Sequence, residues 1–93
     1  MNTQNFRIFK LVSGEMVIGR RAETPHSLTS PFLLHHGQNG FGLIPMFPWC
    51  DPTKDTIATF AVSSVMCEAN TSDPSHLELI KSYERATSRI QLP

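Results

Sequence analysis

The sequence predicts a small, mainly β domain that curls toward a barrel and ends in one helix. Three observations carry that expectation. The run Leu11-Val12-Ser13-Gly14-Glu15-Met16-Val17-Ile18-Gly19 reads as two strands around a tight turn, with a second glycine inside the return strand. Short apolar and β-branched runs then recur between Pro, Gly, Asn and Ser breakers as far as Ala69. Beyond Asp73 the apolar residues fall at three-and-four spacing, the period of an amphipathic helix.

The first strand is expected over residues 5–12, rich in Phe and Ile. Ser13-Gly14-Glu15 makes the turn, where glycine tolerates the left-handed conformation that a Cβ makes costly. The second strand covers 16–23, with Met16, Ile18 and Arg20 on one face and Val17, Gly19 and Arg21 on the other. Glycine inside a strand marks a bulge, a bend or close backbone approach, and a bend at Gly19 would let a short sheet curl. Thr24-Pro25-His26-Ser27 interrupts the pattern, and His26 to Ser30 reads as a polar loop. A third strand is expected from Pro31 through Leu34. Asn39-Gly40 is a hairpin signal, because both residues tolerate positive φ. Residues 41–47 then return as an edge, bulged or broken strand, since Pro45 and Pro48 cannot donate to a ladder. A loop over 49–55 leads to a β-branched strand at 56–62, a corner at Ser63-Ser64 and a last strand at 65–69. Asp73 can cap a helix and Pro74 suits its first turn. The helix is expected over about 74–88, with His76, Leu79, Ile80, Tyr83, Ala86, Thr87 and Ile90 on one face.

Ninety-three residues make one domain. Eight Lys plus Arg balance eight Asp plus Glu, so no global basic field exists to draw in nucleic acid. Charged residues are 17% of the chain against 40% hydrophobic, a balance that fits surface hidden in an oligomer. Cys50 and Cys67 form no close pair motif, the polar first residues resemble no signal peptide, and no segment is long enough to span a membrane. The expectation is a cytoplasmic protein with two reduced thiols.

The spacing Leu11-x-x-Gly14-x-x-Val17-x-Gly19 resembles the first signature of the Sm-like (LSm) superfamily, and the chain's length, single-domain size and hairpin resemble its short members from bacteria and marine phages. The resemblance covers about Phe6 to Ala22. It implies a strongly bent, five-stranded, SH3-like barrel over about 5–70, here followed by a C-terminal helix. It also implies a homo-oligomeric ring of about five to seven subunits joined edge strand to edge strand, and a role in holding single-stranded RNA.

Two further parts of the family pattern are missing. The stretch His26-Ser27-Leu28-Thr29-Ser30 stands where the family has an Asp-x-x-Met-Asn-like segment, and Ser63-Ser64 stands where it has Arg-Gly or Lys-Gly. What remains for RNA is phosphate contact by Arg20 or Arg21, stacking by His26, and hydrogen bonding by Ser27, Ser30 or Ser63. The bland readings are a solvated arginine pair and a capped polar loop. If base reading is lost, the alternative is a structural or protein-interaction ring. Neither catalysis nor a cofactor is expected: Ser63-Ser64 lacks a nucleophile-elbow context and Cys50 lacks a readable base. His35 and His36 point to opposite faces of a strand and match no zinc spacing with Cys50, Cys67 or His76, so no metal site is expected. The apolar segment Phe41–Trp49 needs cover, either from the helix of its own subunit or from a neighbour.

Overall fold

A computed structural model of the chain describes residues 5–38, 40–51 and 54–87. These residues form β1 (Phe6–Leu11), β2 (Met16–Arg21), β3 (Ser27–Gly37), β4 (Gly40–Pro45), β5 (Ile57–Thr59), β6 (Val65–Glu68) and α1 (Leu77–Thr87). The protein is therefore mainly β with one C-terminal helix. All strand pairs are antiparallel, in the order β4-β3-β2-β1-β6, with β5 also on β3. The sheet has six strands and is not closed, an arrangement compatible with a small barrel-like fold but with one strand more than the five expected: among the described residues β6 pairs only with β1, and β4 and β5 only with β3.

The extra strand has a simple origin. β4 runs along one half of β3, from Gly37↔Gly40 to Phe32↔Pro45. β5 continues along the other half of that edge, from Thr29↔Ile57 to Ser27↔Thr59. One outer strand is thus cut in two by an excursion over 46–56. The chain leaves and returns at one point, where Met46 N donates to Pro31 O (3.0 Å) and Ser30 N donates to Thr56 O (2.6 Å).

The β1–β2 hairpin follows the expected register, from Phe6↔Arg20 to Lys10↔Met16. Gly14 has φ 98° and closes the turn with its N–H on Leu11 O. At Gly19 the cause is close approach: a Cβ there would lie 2.8 Å from Leu28 Cβ and 3.1 Å from Thr29 O. The β2–β3 register shifts between Ile18 and Arg20, so Ser30-Pro31 face one residue, and Ser30 takes φ 52°. The bend therefore belongs to β3 as much as to β2.

β3 begins at Ser27, so the polar loop expected at 26–30 is mostly strand. The Ser27 hydroxyl lies 2.8 Å from that of Thr59, and the Ser30 hydroxyl donates to Lys54 O at 3.0 Å. Partners within the fold let both serines be buried in the sheet. Val62–Ser64 forms the corner as a 3₁₀ turn.

Alternation along the strands produces two apolar layers. Phe6, Ile8, Ile18 and Phe32 pack under Leu79, Ile80 and Tyr83 of α1. Phe9, Leu11, Val17 and Leu28 form the other layer, with Leu33, Met46, Phe60 and Val65 against them. Leu43 joins the helix-covered layer, while Phe41, Ile44 and Trp49 stay exposed, so the 41–49 segment is only partly covered within its own subunit. Asp73 caps the helical segment by accepting from Ser75 N at 3.0 Å, a 3₁₀ turn spans Pro74–His76, and α1 follows. Leu79, Ile80, Tyr83 and Thr87 are buried as the spacing predicted, Ala86 is exposed, and Asn39, Ile90 and the expected helix end at 88 lie outside the described residues. No helix among the described residues is long and apolar enough to cross a membrane.

Candidate nucleic-acid interface

Successive side chains of β2 leave opposite faces of the sheet, and this separates the two arginines. Arg20 goes under the helix. Its Nη2 donates to Thr87 Oγ1 at 2.7 Å, and its guanidinium carbon lies 5.4 Å from the centre of the Tyr83 ring. The Thr87 hydroxyl donates in turn to the Tyr83 carbonyl at 3.0 Å. Arg20 is thus a tie between β2 and α1.

Arg21 is exposed at the other face, where it joins a charged cluster at one end of the sheet. Arg7, only 8% exposed, sits at the centre of that cluster. Its Nε and Nη2 donate to Glu68 Oε2 (2.8 Å) and Oε1 (2.7 Å), a bidentate pair across β1 and β6. Its Nη1 donates to Pro25 O, and its guanidinium covers the Phe9 ring at 4.9 Å. Hydrogen bonds from Arg7 hold the Glu68 carboxyl below the usual carboxylate range, and Arg21 and His26 add positive field to it. The same pair raises the Arg7 pKa.

Beside this cluster an open groove of about 370 Å³ is lined by Arg21, Glu23, Thr24, Thr29, Ile57 and Thr59. The Ser27 hydroxyl forms part of its wall, bonded to both Thr24 Oγ1 and Thr59 Oγ1. The groove thus has one cation and one carboxylate, several hydroxyls and one exposed aliphatic side chain. Arg21 and the hydroxyls are groups that can contact a phosphate–sugar backbone, and Glu23 opposes it.

Of the residues singled out in the sequence, Arg21, His26 and Ser27 gather at this end, and Ser27 is already bonded there. Ser30 is buried against the base of the 46–56 excursion. Ser63 lies at the far end of β1, where Ser64 O accepts from Val12 N (2.9 Å) beside the β1–β2 turn, whereas Arg20 faces Phe6. Five residue steps along a strand separate those ends, roughly 17 Å. Leu11 and Val17 are core residues, and Gly14 and Gly19 shape the backbone. Arg7, Glu68 and Tyr83 were not legible as a site. Arg7 and Glu68 are 61 residues apart, and neither stands in a motif. Cys50 and Cys67 are unpaired, and no group of three metal-ligating side chains is placed to hold an ion among the described residues.

A scan of the chain against protein-family models finds no match, and a search of curated proteins finds no significant similarity.

Proposed function

We propose that this chain is a non-catalytic Sm-like subunit that joins copies of itself edge to edge into a ring and holds single-stranded RNA at the Arg21 end of the sheet. The observation that carries the assembly is the open sheet: β6 on one side and β4 with β5 on the other have no further strand partner among the described residues. Unpaired edges present backbone donors and acceptors ready for another strand, and apolar side chains on both edges add to that tendency. Two different edges meeting give a heterologous contact, which closes into a ring when the rotation permits. The strongly bent barrel and a size of about five to seven subunits rest on the resemblance of Leu11–Gly19 to the Sm-like signature. Arg21 and His26 support the RNA role, through phosphate contact and base stacking.

A second reading has its own observation. Ser27, Ser30 and Arg20 are engaged inside the fold, which favours a protein-interaction ring without base readout. Native mass spectrometry combined with anisotropy titration of short U-rich and A-rich RNA over a salt series tests both. The expected result is one closed oligomer whose affinity falls steeply with salt, with Arg21→Ala weakening both RNAs alike. A chain that stays monomeric at micromolar concentration refutes the ring. Assembly without RNA binding at low salt refutes the RNA role and leaves the interaction ring.

A further inference from the structure

A second open groove adjoins Arg21. It holds about 480 Å³ and is lined by Asn5, Arg21, Glu68, Asn70, Thr71 and Ser72. The start of β1, the end of β2 and the turn that follows β6 come together there. Arg21 is the one residue that lines both this groove and the hydroxyl-lined groove described above.

The polar groups of the second groove are of another kind. Glu68 brings a carboxylate, and both of its oxygens accept from Arg7. Asn5 and Asn70 bring amides, and the Asn70 amide is held in one orientation. Its Oδ1 accepts from Ser72 N at 3.1 Å and from Ser72 Oγ at 2.6 Å. A backbone N–H can meet only the oxygen of an amide, so the Nδ2 hydrogens are what Asn70 has left to give. Asn70 itself is exposed.

Two grooves that share one cation fit one chemical plan. A phosphodiester is a single negative charge with a nucleoside on either side. Hydroxyls suit a sugar and its phosphate, and a planar amide suits the edge of a base. A donor without an acceptor selects among bases: uracil, cytosine and guanine each carry a ring carbonyl, and adenine carries none.

We propose that an RNA strand crosses Arg21 with a phosphate against it, and that the base on one side of that phosphate enters the second groove, where Asn70 Nδ2 donates to a ring carbonyl. This rests on the RNA role proposed above, and it adds where a base is read and by which group.

Anisotropy titrations at low salt compare U-rich and C-rich RNA with A-rich RNA, and the readout is the ratio of affinities. Wild type should favour the carbonyl-bearing RNAs by about fivefold, the effect of one net hydrogen bond. Asn70→Ala should bring the ratio to about one. Asn70→Asp keeps an oxygen for Ser72 and removes the donors, so the turn is preserved. Its charge weakens every RNA, yet its ratio should also fall to about one. Arg21→Ala should weaken all three RNAs and leave the ratio unchanged. Equal affinities in wild type, or a preference that survives Asn70→Asp, overturns base reading in this groove while the RNA role stands. No binding of any of the three RNAs at low salt overturns both.

Discussion

Gly19 lies where β2 and β3 come closer than a side chain permits. A Cβ would stand 2.8 Å from the Cβ of Leu28, which is itself fully buried and has no room to retreat. Gly19→Ala should therefore destabilise the fold by about 1–3 kcal/mol. Gly14→Ala meets nothing within 4 Å and incurs only the left-handed backbone penalty, about 1 kcal/mol. Thermal melts of the two variants check the order; equal midpoints would remove the close-approach account. Tyr83 offers a second single-residue test. It is the only tyrosine, its hydroxyl lies 2.9 Å from Thr29 O and 2.8 Å from Ser30 O, and burial pushes its pKa from 10.0 up to about 12. The neutral phenol is the form that the fold prefers. Its contribution is complete below the unfolded value of 10.0 and is lost as pH rises through about 12. Unfolding at alkaline pH should coincide with appearance of phenolate absorbance, and Tyr83→Phe should lack this loss while costing about 1–2 kcal/mol at neutral pH. Phenolate that titrates near 10 in the folded protein would contradict it. The glycines were legible because backbone freedom is written in the residue type. Arg20 was not, since its partner Thr87 arrives only when α1 docks.

At the level of elements, β6 is held to β1 by a short ladder and by the Arg7–Glu68 pair. The Glu68 carboxyl is held below its ordinary value of 4.5, so its contribution exists above that pH and fades as pH falls through the folded value. Glu68→Gln should lower the thermal midpoint at neutral pH, and its gap to wild type should close below pH about 4.5. Scans at a concentration below assembly keep the subunit contact out of the measurement. A gap that persists unchanged in acid would mean that the pair is not what fastens β6. The hairpin, the Ser63-Ser64 corner and the capped helix were legible, because turn chemistry, capping and periodicity are local signals. The start of β3 was not. Ser27 to Ser30 read as a loop on polarity, yet the Ser27 hydroxyl meets Thr59 on β5 and the Ser30 hydroxyl donates to Lys54 O in the excursion. Nor did the sequence reveal that β4 and β5 share one edge of β3, since register is fixed by the partner strand and the bulge opposite Gly19.

For the whole molecule, the question is whether its two free edges meet each other or whether one edge meets its own copy. Ile57 and Met66 mark the two edges, and both are mostly exposed in the subunit. A lysine at either position places a charge where the neighbour would pack, the device that natural sheets use to blunt an edge. If the contact is heterologous, Ile57→Lys loses one half of it and Met66→Lys the other. Each variant alone should then be monomeric. Mixed together, the intact β6 of Ile57→Lys can still meet the intact β4 and β5 edge of Met66→Lys. The mixture should give a heterodimer and nothing larger, seen by native mass spectrometry with one variant isotopically labelled. That dimer should need more protein than the wild-type ring, because closing a ring makes its last contact intramolecular. A self-complementary interface built on one edge behaves differently: one variant would assemble normally and the other would not, and mixing would rescue nothing. Two monomers that combine only with each other are the signature of a chain whose opposite edges fit.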